Sequence, residues 1–192
     1  PALLHVLTRK GKGCPYAEAH PDKYHGVGPF NPDTGELAPV GVGFSDRVGE
    51  FLCRYAEQDS RIVAITAAMA GGTGTECFEA KFPKRFFDVG IAEGHAVTAA
   101  SAMAKQGLIP VFAVYSSFLQ RSFDMLIHDV SLQQLHVVLC VDRAGLVGSD
   151  GETHQGLFDI SYLGTIPGMT VMCPPSFAEL HDMLGSALHD VA

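Results

Sequence analysis

The sequence predicts an α/β protein, a doubly wound parallel sheet with helices on both faces. Three observations carry that prediction. Short uninterrupted apolar runs recur, among them Ile62–Thr66, Leu108–Tyr115 and Val137–Val141, and such runs suit strands buried on both faces. Between them lie amphipathic or alanine-rich stretches of helical period, the alternation expected when helices cross over a parallel sheet. Polar and glycine-rich residues gather just after the runs, where such a sheet holds its ligands.

Residues 1–42 stand apart. Gly11, Gly13, Pro15, Pro21, Gly26, Gly28, Pro29, Pro32, Gly35, Pro39 and Gly41 leave little room for regular structure. Leu3–Thr8 reads as one strand, so this stretch is expected to be the end of a preceding domain followed by a linker. The sheet domain is then 43–192. Ser45 is placed to cap a helix that puts Val48, Phe51, Leu52 and Tyr55 on one face. Ile62–Thr66 follows as a strand, and Gly71–Gly74 as a loop. Glu76–Phe82 is a short helix stopped by Pro83, and Phe86–Ile91 the next strand. Ala92–Gln106 is alanine-rich and helical, ending at Gly107. Leu108–Tyr115 is a strand with Pro110 near its start, where a missing N–H is tolerated. Ser117–His128 carries Phe118, Leu119, Phe123, Leu126 and Ile127 at helical spacing. Val137–Val141 is a fourth strand and residues 143–157 a polar loop. Thr170–Cys173 reads as a fifth strand, ended by Pro174 and Pro175, and Ser176 caps a last helix through Leu188.

Composition narrows the function. Hydrophobic residues make up 47% of the 192 and charged residues 18%, which argues for a packed core rather than disorder. A formal charge of -8 with no basic stripe argues against nucleic acid as partner. No apolar stretch is long enough to cross a membrane, and nothing at the start reads as a signal peptide. Five cysteines without a CxxC pair, with Cys53, Cys140 and Cys173 inside apolar runs, read as buried thiols of a cytoplasmic protein. No His, Cys and carboxylate spacing matches a strong metal pattern, so no metal bound wholly by this chain is expected. The chain starts at Pro1 and runs to Ala192 with neither a start methionine nor a natural close, which suggests a piece of a longer protein.

Glu93 sits where an apolar run meets an alanine-rich helix. A carboxylate there is either a helix-start residue favoured by the dipole or a buried acid with a raised pKa, able to share a proton with a ligand nitrogen. His154, in a polar loop after a strand, can act as acid or base near neutral pH. Arg121, Arg143 and Asp150 suit a phosphorylated or carboxylated substrate, the arginines through bidentate contacts. Gly71–Gly74 is a glycine-rich turn of the kind that can cradle a phosphate, although the chain has neither GxGxxG nor a P-loop.

Four stretches taken together resemble one family. They are Arg85–Thr98 (RFFDVGIAEGHAVT), Tyr115–Arg121 (YSSFLQR), Asp142–Gly148 (DRAGLVG) and Asp150–Gly156 (DGETHQG), with His5–Gly13 (HVLTRKGKG) at the start. The chain resembles the 1-deoxy-D-xylulose-5-phosphate synthases, transketolase-like thiamine-diphosphate enzymes. The resemblance implies a pyrimidine-binding domain over 43–192. It also implies condensation of pyruvate with glyceraldehyde 3-phosphate and loss of carbon dioxide, in a cytoplasmic homodimer serving isoprenoid, thiamine and pyridoxal synthesis. On that basis Glu93 would bond the ring nitrogen of the cofactor's aminopyrimidine and Phe118 would stack on it. Cys14 would touch the cofactor, at a position where the family usually has an aromatic residue; Gly94 stands where Gln is common. His25 and His154 would meet substrate, and Tyr115, Arg121, Arg143 and Asp150 would hold the acceptor. Mg ligands would come from a GDG…N motif in a preceding domain, so the chain alone is expected to be inactive. The other readings are a separate pyrimidine-domain subunit of a split enzyme and a non-catalytic assembly remnant.

Overall fold

A computed structural model describes residues 1–21, 23–148 and 151–189. The chain divides into two units, Pro1–Gly41 and Val42–Ala192.

In the first unit the predicted strand at Leu3–Thr8 does not form. Leu3, Leu4, Val6 and Leu7 are all exposed, and a lone strand with no neighbour has nothing to bury it. A short helix forms instead, α1 (Pro15–Ala19), with Pro15 in its first turn, where a missing N–H costs nothing. The hydroxyls of Tyr16 and Tyr24 donate to the carbonyls of Asp33 and Gly35. Gly35 has φ +71°, and a Cβ on it would lie 2.5 Å from Tyr16 Cδ1, so both backbone and space demand glycine.

The second unit is the sheet domain. Four parallel strands, β1 (Ile62–Thr66), β2 (Phe86–Asp88), β3 (Ile109–Tyr115) and β4 (Val138–Asp142), lie in the order β2-β1-β3-β4. Thr66 pairs with Asp88 on one side and Ala113 on the other, and Tyr115 pairs with Asp142. Strand side chains alternate between two cores. Ile62, Ala64, Ile109, Val111 and Val138 pack with Leu52 of α2 (Phe44–Gln58), Phe78 of α3 (Glu76–Lys81) and Leu180, Leu184 and Leu188 of α8 (Phe177–His189). Ile65, Phe112 and Val114 pack on the other face with Ala96, Val97 and Ala100 of α4 (Glu93–Lys105) and with Leu119, Leu126 and Leu163. The predicted doubly wound architecture is therefore the observed one. The chain runs from β1 to β2 over one face and from β2 to β3 over the other, which opens the switch point beside β1 where ligands collect.

Several elements differ from expectation. The N-cap of α2 is Gly43, whose N–H donates to Asp46 Oδ2 at 2.8 Å, and Ser45 instead donates its hydroxyl to Asp142 at the end of β4. The strand expected over Phe86–Ile91 stops at Asp88, because the Asp88 carboxylate turns to accept the N–H groups of Ala68 and Gly90. Thr170–Cys173 forms no strand among the described residues; Val171 is 40% exposed, and the run lies unpaired. The helix expected over Ser117–His128 is broken into α5 (Ser116–Leu119), a tighter turn at Gln120–Ser122, α6 (Phe123–Met125) and a wide π-type turn at Leu126–Ser131. One more short helix, α7 (Asp159–Leu163), lies where no element was expected. Ser176 caps α8 as predicted, accepting from Glu179 N at 3.2 Å.

Candidate active site

The carboxyl ends of β3 and β4 and the start of α4 bring six side chains together. Glu93 opens α4 and is only 4% exposed. Arg121 Nη1 donates to Glu93 Oε1 at 2.8 Å. The same guanidinium lies over the Phe118 ring, 5.3 Å from its centre. Phe118 stacks against Tyr115 at 5.8 Å with the planes 12° apart, and meets the His154 ring edge-on at 5.4 Å. The Arg143 guanidinium sits 5.0 Å from the centre of the Tyr115 ring. Glu93, Tyr115, Phe118, Arg121, Arg143 and His154 thus form one connected group. Asp150 lies outside the described residues. Cys14 and His25 belong to the first unit, Cys14 half-buried just before α1 and His25 exposed in a turn.

The broken segment after β3 explains the placement. Had Ser116–Ser131 been one regular helix, Phe118 and Arg121 would simply share a face at i, i+3 spacing. Here a tighter turn at Gln120–Ser122 separates them from the apolar stretch that follows. Ser116 anchors the start: its hydroxyl reaches both oxygens of the buried Asp159, at 2.8 and 2.6 Å. Burial, with the Asp159 charge beside it, raises the Tyr162 phenol well above its ordinary range. Arg143 holds φ +55°, and its N–H donates to Asp142 Oδ1 at 2.7 Å. Strain of this kind is typical of functional strand ends.

The loop that carries His154 is tied by a residue to which sequence reasoning gave no role. Gln155 accepts from Val147 N at 2.7 Å and donates back to Val147 O at 2.7 Å and to Gly151 O at 2.5 Å. Gly145 and Gly156 exchange a pair of backbone hydrogen bonds across the loop. A glutamine with both ends of its amide in use is a spacer, and the signal was present in the DGETHQG stretch. Ser45 and Asp142 were missed for another reason, since 97 residues separate them and no local pattern links them.

The glycine-rich turn at Gly71–Gly74 folds back on its own backbone. The N–H groups of Thr73, Gly74 and Thr75 donate to Met69, Gly71 and Ala70 carbonyls, so three donors of the turn are committed within it. The turn also packs against the site. A Cβ on Gly72 would lie 2.0 Å from the Tyr115 hydroxyl oxygen. Gly94 has a comparable fit, since a Cβ there would meet Met125 Cε at 2.8 Å.

The donor set suits a flat, nitrogen-bearing ring. Among the described residues Arg121 is the one hydrogen-bond partner of the Glu93 carboxylate, and it uses Oε1. That leaves the second oxygen of a buried acid for a ligand, next to an aromatic ring that can stack.

The chain matches the family of the transketolase pyrimidine-binding domain over residues 41–191. It is 57% identical over 190 residues to a 1-deoxy-D-xylulose-5-phosphate synthase of Clostridium kluyveri, covering 98% of this chain and 30% of that protein. It is 56% identical over 191 residues to the one of Symbiobacterium thermophilum, covering 99% and 29%. The chain therefore spans about a third or less of the length of these relatives. Among solved structures it resembles a split-gene transketolase described as an inactive β4 tetramer, with TM-score 0.68, 26% identity, and coverage of 77% of this chain and 48% of that one. It shares its fold with the transketolase of Leishmania mexicana at TM-score 0.71 and 17% identity, over 80% of this chain and 25% of that one. With the parallel sheet, the acid at the head of α4 and a match across nearly all of the second unit in agreement, the chain belongs to the transketolase pyrimidine-binding domain family.

Proposed function

We propose that this chain is the pyrimidine-binding part of a 1-deoxy-D-xylulose-5-phosphate synthase, which condenses pyruvate with glyceraldehyde 3-phosphate and releases carbon dioxide. The observation that carries the reading is the buried Glu93 carboxylate, joined through Arg121 to the Phe118 ring. Thiamine diphosphate, when bound, supplies the electron sink for decarboxylation. Glu93 is the residue of this chain that holds and moves a proton at the aminopyrimidine ring nitrogen, and Phe118 is the ring that packs on the pyrimidine. Arg121 balances the Glu93 charge and holds the carboxylate in place, because a buried acid is costly without a partner. His154, steadied by the Thr153 hydroxyl 2.9 Å from its Nδ1, faces the same aromatic ring and suits proton transfer to substrate. Arg143 and Arg121 offer the positive charge that a dianionic phosphate requires, and in this reading Tyr115 and Asp150 also bind the acceptor.

In this reading residues 1–42 are the end of a preceding domain and a linker, in which Cys14 is assigned to the cofactor and His25 to the substrate by family resemblance, and residues 43–192 the pyrimidine-binding domain. The working enzyme is a cytoplasmic homodimer. The Mg and diphosphate ligands come from elsewhere, because hard cations need several oxygens in fixed geometry and this sequence has no GDG…N stretch. A separate subunit of a split transketolase-like enzyme is the second reading, favoured by the likeness to the split-gene structure. The remnant reading is the weakest, since a pure assembly partner has no use for an acid, an arginine and a histidine kept around one ring.

The test is kinetic. An active enzyme containing this chain should consume pyruvate only when glyceraldehyde 3-phosphate is present to accept it. Arg143→Ala should raise KM for glyceraldehyde 3-phosphate much more than KM for pyruvate, on the scale of about 1.5–3 kcal/mol for a charge-assisted contact. Equal effects on both substrates would make Arg143 structural, and no turnover of this pair would overturn the reading.

A further inference from the structure

On the face of the sheet away from Glu93, two thiols meet. Cys53 lies in the middle of α2 and Cys77 in the first turn of α3, with their sulfurs 3.6 Å apart. Cys53 is 7% exposed, whereas Cys77 is open to solvent. The helix that carries Cys53 lies against the turn just before α3: a Cβ on Gly49, one turn before Cys53, would lie 1.9 Å from the Gly74 carbonyl and 2.9 Å from Cys77 Sγ. A disulfide needs sulfurs at about 2.05 Å, so the pair closes from 3.6 Å by rotation of the side chains and an approach of the segments that carry them.

The two thiols are unequal. Burial, with the hydrogen bond between them, pushes Cys53 up to about 12, so it remains protonated and shielded. Cys77 donates to the Gly74 carbonyl at 3.5 Å and is reachable from solvent. The Lys81 ammonium, one turn further along α3, lies within electrostatic reach of both sulfurs while pairing with Glu57. An exposed thiol near a cation, backed by a buried second thiol, is the arrangement of an attacking and a resolving cysteine.

We propose that Cys53 and Cys77 are an oxidant-responsive pair that closes to a disulfide, with Cys77 reacting first and Cys53 resolving. With a hydroperoxide such as hydrogen peroxide, the Cys77 thiolate attacks one peroxide oxygen. The O–O bond breaks, and the hydroxide that leaves takes up the thiol proton as water. The sulfenic acid on Cys77 is then attacked by Cys53 sulfur. The S–S bond forms, the S–O bond breaks, and the second hydroxide leaves with the Cys53 proton as water. The two thiols together lose two electrons and two protons, and the peroxide is reduced to two waters. The bond clamps α2 to the start of α3 and to the turn at Gly71–Gly74, whose Gly72 abuts Tyr115. This pair is independent of the proposed activity.

The experiment treats the purified protein with hydrogen peroxide, blocks remaining thiols with N-ethylmaleimide and maps peptides by mass spectrometry without reduction. Trypsin separates the two cysteines, since Cys53 falls in the peptide ending at Arg54 and Cys77 in the one ending at Lys81. The expected result is loss of two of the five thiols as a Cys53–Cys77 cross-linked peptide, restored by dithiothreitol, with the oxidised protein melting several degrees higher because the unfolded chain is constrained. Cys173, exposed and without a thiol neighbour among the described residues, serves as internal control and is expected to acquire no intramolecular bond. In Cys53→Ser, Cys77 should pass on to sulfinic acid at peroxide levels where the wild type stops at the disulfide. The inference fails if the wild type yields no such cross-link, or if Cys77 overoxidises equally with and without Cys53.

Discussion

The two faces of the sheet are built differently, and the difference marks where chemistry is housed. On one face three regular helices, α2, α3 and α8, pack an apolar core, and Arg85 at its edge serves to satisfy backbone. Arg85 donates to the carbonyls of Ala56, Asp59 and Ile62 at 2.9, 3.1 and 3.3 Å, closing the end of α2, and its guanidinium lies 4.1 Å from the Phe82 ring centre. On the other face the helix after β3 is broken into four short pieces, and buried polar groups are frequent: Glu93, Ser116, Ser122 and Asp159. Ser117 and Ser122 leave hydroxyls buried without a partner among the described residues, and on α2 Arg47 Nε is left likewise. Regular helices yield stability cheaply. The irregular face holds the polar side chains at the angles a ligand needs, at a cost in packing.

Substitutions can break that contrast if it is wrong. The largest expected effect is Glu93→Gln in an active enzyme containing this chain. The amide keeps the shape and the contact to Arg121 but cannot exchange a proton in the same way. Turnover should fall by on the order of 3 kcal/mol or more in the barrier while the melting temperature stays close to wild type. Turnover within threefold of wild type would remove Glu93 from the chemistry. Next is Asp159→Ala, which strips the buried acceptor from the Ser116 and Tyr162 hydroxyls. Hydrogen bonds to a charged partner contribute about 1.5–3 kcal/mol, so urea unfolding should show a loss of that order. Activity should fall too, because Ser116 fixes the start of the segment that carries Phe118 and Arg121. Arg85→Ala provides the counterpart on the regular face. It should cost about 2 kcal/mol of stability through three carbonyls that lose a charged donor and leave both Michaelis constants unchanged in the surviving enzyme. A changed KM there would mean the two faces are not separable.

Much of the contrast was legible in sequence, though unevenly. Ile62–Thr66 and Leu108–Tyr115 stand out because strands buried on both faces need unbroken apolar runs, and the heads of α4 and α8 follow from composition and capping. Glu93, Phe118, Arg121 and His154 could be picked out because each sits just after a run. What stayed hidden depends on contacts between distant segments. The pairing of Arg121 with Glu93 spans 28 residues and that of Ser116 with Asp159 spans 43. Apolar content alone could not tell Thr170–Cys173 from a strand, because pairing is decided by a neighbour and not by the run itself. The breaks in the Ser116–Ser131 segment have no glycine or proline to announce them.

The smallest effect concerns Ala68, at the turn out of β1 and so at the edge between the two faces. Its φ is +60°, a region that costs an L-residue about 1–2 kcal/mol. The conformation is held by its N–H, which donates to Asp88 Oδ1 at 2.8 Å, while the same oxygen takes Gly90 N at 2.9 Å. Ala68→Gly relieves the strain but gives the unfolded chain more freedom, about 0.5–1 kcal/mol in the opposite direction. The balance is a small gain, about 0.5 kcal/mol, read as a slightly higher urea midpoint with an unchanged slope. Arg143 holds the same kind of backbone at φ +55° after β4, but there a glycine would also delete the guanidinium over Tyr115, so of these two strand ends Ala68 isolates the strain. If the glycine variant is more stable and equally active, the strain at β1 is incidental to the turn. If it is more stable but slower, the strained edge of β1 belongs to the working face, and the division between a stabilising face and a reactive one has to be drawn through β1 rather than beside it.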